Sequence, residues 1–327
     1  MLRKLVPIVA SLPMLACSAT LQRPVVTTEA ATGLEQVTRS AAGEIDPAVS
    51  PDGKSIAYEV TGGAGVAPHV EVISLDGVGT GAPPRIEYSS KAAGSQPAWM
   101  PDGSSLVFVS SADGAGNLVQ SSVPTLGRTV PTTNLLAPVG TPNTVAFWPA
   151  LSPDGRMVLA SLPRVEEFDS GWSSVRRFDA ALGVSDLQGT GITLLGAGTD
   201  PAWSPDGKRL AFARRVQGHS HLFVSDAAGL HAVQITDGPD DDELPAWSPD
   251  GRRIAFCSVQ SAEHGAAQAN IFAVAADGSG LVQLTEGDRF ACRPDWARDG
   301  FIYFHADVAG RFHIWRIRPS GSWIDAG

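Results

Sequence analysis

One short string, PAWSPDG, returns along the chain and constrains its fold more than any other feature. Its six copies read DPAVSPDGKSIAY, QPAWMPDGSSLVF, WPALSPDGRMVLA, DPAWSPDGKRLAF, LPAWSPDGRRIAF and RPDWARDGFIYF. Their aspartates, Asp52, Asp102, Asp154, Asp206, Asp250 and Asp299, recur at intervals of 44 to 52 residues. A repeat of that period is one supersecondary unit that cannot bury its apolar face alone. Within a copy, Pro presets φ for a turn and Gly accepts the left-handed conformation that closes it. The residues after the turn set an aliphatic and an aromatic side chain two apart: Ile56 and Tyr58, Leu106 and Phe108, Leu210 and Phe212, Ile254 and Phe256. The residue between is small or apolar, so each segment reads as a strand buried on both faces.

A third strand follows in every unit: HVEVI, NLVQS, SVRRF, HLFVS, NIFAV and HIWRI. A fourth follows in five: RIEYS, NLLAP, ITLLG, AVQIT and LVQLT. Four antiparallel strands per unit, six units long, predict an all-β, six-bladed β-propeller. Composition agrees, with 35 Gly and 24 Pro for turns and only 18% charged residues, too few for a helical bundle. The sixth unit stops near Trp323 without a fourth strand. LEQVT, at 34–38, matches LVQLT and AVQIT in kind. It is expected to close the last blade and so remove an open edge.

The W-S-P-D-G copies resemble the repeat of TolB-type propellers, over about 34–323. The resemblance implies a six-bladed periplasmic ring of a kind often used for protein contacts. TolB proteins carry a separate α/β domain before the propeller, which this sequence is expected to lack.

The start of the chain, MLRKLVPIVASLPMLAC, has a basic region and a short apolar run of signal-peptide proportions. Met14-Leu15-Ala16-Cys17 resembles the lipobox of bacterial lipoproteins. The reading is a signal over 1–16, a lipidated Cys17, a flexible tether over 17–33 and the propeller over 34–323. An ordinary secretory signal is the alternative. A lipid anchor would hold the protein at a membrane, and Ser18 favours the outer membrane, facing periplasm or cell surface. The net charge of −10 argues against a nucleic-acid partner. A monomer is expected.

Functional candidates are the residues that differ between units. The position before the repeat Pro holds Asp46, Gln96, Trp148, Asp200, Leu244 and Arg293. On the innermost strand it would rim the central channel, opposite the PDG turns. Glu44, Asp242 and Glu243 add negative charge, and the long loop PRVEEFDSGWSS between the second and third strands of the third unit adds Trp172. An acidic mouth with one cation, Arg293, would favour a cation or a basic peptide. Protein or peptide binding at Glu44, Asp46, Gln96, Trp148, Trp172, Asp200, Asp242, Glu243 and Arg293 is the first reading, with an envelope protein or peptide as partner. The alternative is an enzyme or binding protein for envelope or extracellular polysaccharide, lyase- or hydrolase-like. No catalytic motif is present, so no catalytic residue is assigned. No cofactor is implied, although oxygen ligands around the mouth would suit Ca²⁺.

Other conspicuous residues read as structural. His69, His221 and His313 share the start of the third strand, where other units have Asn117, Ser174 and Asn270. His219 with His221 leaves a two-ligand surface site open, but no metal site is assigned. Trp99, Trp203, Trp247 and Trp296 fill one slot, read as packing between blades, and the PDG aspartates read as turn formers. Cys257 and Cys292 fall at the mouth ends of neighbouring units. They are either one disulfide or two small buried apolar residues.

Overall fold

The computed structural model describes residues 31–61, 67–80, 86–90, 93–110, 117–122, 133–136, 147–168, 175–187, 192–260, 268–287, 290–307 and 310–320. These form an all-β propeller of four-stranded antiparallel sheets, six among the described residues. Sheet 1 holds β2 (Glu44–Val49), β3 (Ser55–Val60), β4 (His69–Ser74) and β5 (Ile86–Ser89). Sheet 2 holds β6 (Gly94–Trp99), β7 (Ser105–Ser110), β8 (Asn117–Ser122) and β9 (Thr133–Leu136). Sheet 3 holds β10 (Phe147–Leu151), β11 (Met157–Phe168), β12 (Val175–Asp186) and β13 (Ile192–Ala197). Sheet 4 holds β14 (Thr199–Trp203), β15 (Arg209–Val216), β16 (His219–Asp226) and β17 (Val233–Gln234). Sheet 5 holds β18 (Asp241–Trp247), β19 (Arg253–Gln260), β20 (Gln268–Ala275) and β21 (Val282–Gln283). Sheet 6 holds β22 (Ala291–Trp296), β23 (Ile302–Asp307) and β24 (Phe312–Pro319), with β1 (Ala31–Gln36) as its outer strand.

The second strands carry the core. Ser55–Val60 and Ser105–Ser110 are buried along their whole length. Ile56, Leu106, Leu210, Ile254 and Ile302 are fully buried, and the aromatics two residues on from the first four are nearly so. The side chains of neighbouring sheets interlock in shared clusters, as where Ala57 and Val72 meet Trp99, Leu106 and Phe108. The PDG turns are built alike. The Ser50 hydroxyl donates to the Asp52 carboxylate at 2.7 Å, the Lys54 N–H donates to the same oxygen, and Gly53 sits at φ +72°. The repeat aspartates are therefore turn formers, as read from the sequence.

The outer strands repeat one device. Thr38, Thr236 and Thr285 each accept a backbone N–H from the third strand, from Ile314, Leu222 and Ile271. Two residues before each, Gln36, Gln234 and Gln283 donate side-chain N–H to the Thr carbonyl. The N-terminal segment thus takes the place in sheet 6 that the Q-x-T segments take in sheets 4 and 5. Its strand begins at Ala31, three residues before the expected start at 34. The ladder runs from Ala31 opposite Pro319 to Gln36 opposite Trp315.

Sheet 3 departs from expectation. The 163–168 stretch, read as loop, continues β11 in a long hairpin with β12. The third-strand segment paired on both sides is 181–185, not SVRRF at 174–178, so Ala181 rather than Ser174 matches His69 and its equivalents. The expected signal over 1–16, Cys17 and the tether up to residue 30 lie outside the described residues.

Candidate functional site

Each first strand carries the same irregularity. In sheet 1 Ile45 pairs with Glu59 and Ala48 with Ala57, so Asp46 and Pro47 stand opposite Tyr58 alone. The same two-against-one bulge recurs at Gln96-Pro97, Trp148-Pro149, Asp200-Pro201, Leu244-Pro245 and Arg293-Pro294. A proline lacks the N–H a ladder needs, and a bulge is where a strand can accommodate one. The residue before it adopts φ between 52° and 58° in all six sheets. That is the left-handed region, which a non-glycine residue occupies at a cost of about 1–3 kcal/mol. The reward is aim: all six side chains border one cavity of about 410 Å³. The repeat prolines, Ala48 and its equivalents, and the Trp slot continue the wall. Two of those tryptophans tie neighbouring sheets together, Trp99 Nε1 donating to the Ala48 carbonyl and Trp247 Nε1 to that of Ala202. Packing between sheets is thus their role, and their edges also face the cavity.

The bulges are latched from sheet to sheet. The Asp46 N–H donates to His305 Nδ1 at 3.2 Å and the Trp148 N–H to Gln96 Oε1 at 2.8 Å. The Gln96 N–H donates to the Glu59 carboxylate and the Leu244 N–H to that of Asp200. Between sheets 5 and 6 the latch is covalent: Cys257 and Cys292 form a disulfide with Cα atoms 4.9 Å apart. Glu59, Cys257 and His305 occupy the same ladder position on the second strand, opposite the residue before the bulge. Asp295 replaces the repeat alanine in sheet 6 and accepts the Val49 N–H at 2.6 Å.

Electrostatics at the mouth differ from a simple count of acids. Glu44 and Asp242 are each 1% exposed and do not rim the cavity, which corrects their assignment to the mouth. Glu44 takes His313 Nδ1 at 2.7 Å, and Asp242 accepts the Ser258 hydroxyl at 2.7 Å. A buried carboxylate needs such partners, and burial of the two acids beneath the rim follows from them. Arg293 Nε donates to Asp46 Oδ1 at 2.9 Å, and its Cζ lies 5.4 Å from the centroid of the Trp148 ring. Burial pushes the Asp46 carboxyl upward, but the Arg293 charge and hydrogen bond outweigh it and hold the group low. Glu59 is pushed up to about 7 by burial and by the Asp46 charge. Asp200 is pushed up to about 7 by burial and by Glu243, and burial also raises Glu243. Burial lifts Asp295 to about 6 and lowers His305 to about 4. Burial thus leaves the rim less negative near pH 7 than a count of its acids suggests.

Gln96, Asp46, Trp148, Asp200 and Arg293 all lie where the repeat placed them. Glu243, one residue before Leu244, is not among the residues that line the cavity, and Trp172 lies outside the described residues. Sequence reasoning missed Glu59, Asp295 and His305. The signal available was an acid or His interrupting positions that are small or apolar in other units. Among the described residues no group of three or more His, Cys, Asp or Glu is placed to hold a metal ion. His219 and His221 have ring centroids 6.5 Å apart, with Asp241 3.6 Å from His219 Nδ1.

This architecture defines a β-propeller whose inner strands display one variable side chain each around a shared channel. The TolB beta propeller domain family matches residues 172–325 of the chain. No curated protein matches the sequence. Among solved structures, a putative TolB from Agrobacterium tumefaciens superposes with TM-score 0.60 at 18% identity, covering 88% of this chain and 97% of that one. An oligogalacturonate lyase from Vibrio parahaemolyticus gives 0.55 at 11% identity, over 88% and 94%. An acylaminoacyl peptidase from Pyrococcus horikoshii gives 0.52 at 14% identity, over 89% of this chain but 48% of the peptidase. At such identities these likenesses concern the fold alone.

Proposed function

We propose that the six sheets are the blades of one ring closed by β1, and that the ring is a non-enzymatic binding scaffold of the bacterial envelope. It takes a peptide segment of another envelope protein at its channel mouth. One observation carries this reading: an identical strained bulge, repeated in six sheets, displays six side chains of different chemistry around one cavity. The fold needs the bulge and the proline but not the variety, and variety on a fixed scaffold is where specificity is written. The cavity admits a peptide segment or a few side chains rather than a folded partner. The likeness to a TolB propeller agrees with an envelope role. In the same reading 1–16 is a lipoprotein signal, Cys17 carries the lipid, and 17–30 is the tether that holds a monomeric ring at the outer membrane.

A photo-crosslinking residue in place of Trp148, compared in intact cells with one in place of Lys208 on the PDG face, tests this. Discrete polypeptide adducts from the mouth alone are expected. Equal adducts from both faces would remove the mouth as the binding surface.

A second reading is that the mouth takes an acidic polysaccharide. Arg293 over the Trp148 ring favours it, because a cation beside an aromatic face suits an acidic sugar. Incubation with oligogalacturonides, wild type against Arg293→Ala, decides it. New unsaturated ends formed only by the wild type would replace the scaffold reading with a lyase.

A further inference from the structure

The rim side chain with the most constrained placement is Arg293. Its backbone is fixed three ways: φ is 58°, Pro294 follows, and the preceding Cys292 is bonded to Cys257 in the adjacent sheet. The side chain is fixed twice more, by Asp46 at Nε and by the Trp148 ring. A guanidinium carries five N–H donors in a planar fork. Among the described residues its hydrogen bond is made by Nε, so the two terminal nitrogens of this cavity-lining side chain remain for a ligand. That side chain is 19% exposed, so its outer edge still reaches solvent.

Resting on the peptide-binding reading above, we infer that the mouth recognises a carboxylate of the bound peptide, seated on the terminal nitrogens of Arg293. A carboxylate matches the two parallel N–H vectors of the fork, and the match is pre-organised because five constraints already hold the arginine. A chain end is the part of a polypeptide that enters a narrow channel end-on. Its α-carboxylate stays ionised down to about pH 4. Asp46 does not forbid a second carboxylate, because it uses the Nε side and leaves the opposite edge open.

The charges around Arg293 make the binding depend on pH. Asp46 from β2, Asp200 from β14, Asp295 from β22 and Arg298 at the far end border the cavity, while Glu59 from β3 and His305 from β23 act on Asp46 and Arg293, and Glu243 from β18 acts on Asp200. Glu59 and Asp200 titrate near 7 and Asp295 near 6, so they become neutral together as pH falls toward 5.5. His305 stays uncharged over that interval. Lost negative charge strengthens an incoming anion. A cationic ligand would show the opposite trend, tightening as pH rises.

Titration of labelled protein with N-acetyl-trialanine, followed at the Arg293 Nε–H and Trp148 indole N–H resonances, tests the inference. The free acid should shift both signals and bind at least about tenfold more tightly than the carboxamide, the factor that corresponds to one charge-assisted hydrogen bond. Affinity should rise severalfold from pH 7.5 to 5.5. Arg293→Gln should abolish the preference for the acid. Asp46→Asn, whose amide oxygen can still accept the Nε–H, should tighten the acid severalfold, a gain that a misfolded variant cannot give. Equal binding of acid and amide would overturn the carboxylate while leaving the peptide reading standing. Shifts caused by D-galacturonate but by neither peptide would overturn both in favour of the sugar reading. No shift with any of the three would overturn the inference as well.

Discussion

Asp46, Gln96, Trp148, Asp200, Leu244 and Arg293 hold a left-handed backbone although none is glycine and each precedes a proline. Both preferences point the other way, since a residue before proline is driven toward extended backbone. This is why the sequence marked the position as variable yet gave no hint of its conformation. The bulge wins because it satisfies all six sheets at once and turns the ladder away from the proline. A simple inversion of the usual order tests the strain. In a strand Ala ordinarily outranks Gly by about 0.5–1 kcal/mol. At Leu244 both substitutions remove the same packing against the disulfide cluster, but Gly alone escapes the left-handed penalty. Leu244→Gly should therefore unfold at higher denaturant than Leu244→Ala, by about 1 kcal/mol. The acids tell a similar story about legibility. Glu44 and Asp242 look like solvated charge in the sequence, because a one-dimensional count cannot see His313 or Ser258 approaching from another strand.

Between elements, stability concentrates at the seams, where a side chain of one sheet holds the bulge of the next. The Cys257–Cys292 bond is the covalent member of that set and closes a sequence separation of 35 residues. Constraining a loop of that size in the unfolded chain is worth about 4 kcal/mol in the loop-entropy picture. The Cys257→Ala/Cys292→Ala double variant should lose about that much in urea unfolding, and reductant should shift the wild type toward it and leave the variant unmoved. The sequence brought the two cysteines to adjacent strand ends but could not choose between a bond and two buried thiols, because that choice rests on distance. Asp295 gives a second test at a seam. Its folded value of about 6 lies above the ordinary aspartate range, so the folded chain holds a proton that the unfolded chain releases. Stability is then lost as pH rises from about 4 through 6. Asp295→Asn keeps an oxygen for the Val49 N–H and removes the charge. Its stability advantage over the wild type should therefore widen by about 1.4 kcal/mol between pH 5 and pH 8. His305, held neutral down to about 4, works in the opposite sense below pH 6.5, but it is common to both proteins and cancels in the comparison.

At the scale of the whole molecule, the sheets and their four-strand rhythm were legible, because turn chemistry and buried period-two strands repeat at every unit. The long hairpin of sheet 3 was not, since Phe168 and Val175 extend the ladder with residues that read as loop composition. The start of the chain was legible in kind but not in length: Q-x-T set the register, while Ala31 to Gly33 carry little strand character. The proposed closure of the ring rests on this segment, and its energetics are open to trial. Val37 is 3% exposed against Ile314 and Tyr303, and burying such a side chain contributes about 1.5–3 kcal/mol. The Thr38 hydroxyl accepts the Ile314 N–H, and Glu35 takes Arg316 at 2.7 Å. With several backbone bonds of about 1 kcal/mol each, the strand should contribute at least about 4 kcal/mol. A chain starting at residue 39 loses all of this and leaves β24 as a bare edge, which invites pairing with other chains. It should melt well below the full chain and associate in a concentration-dependent way in sedimentation. A synthetic peptide of residues 29–40 should restore both properties in trans, and the Val37→Asp version of that peptide should not. Closure by this strand would be refuted if the shortened chain kept the melting temperature and monomeric sedimentation of the full one.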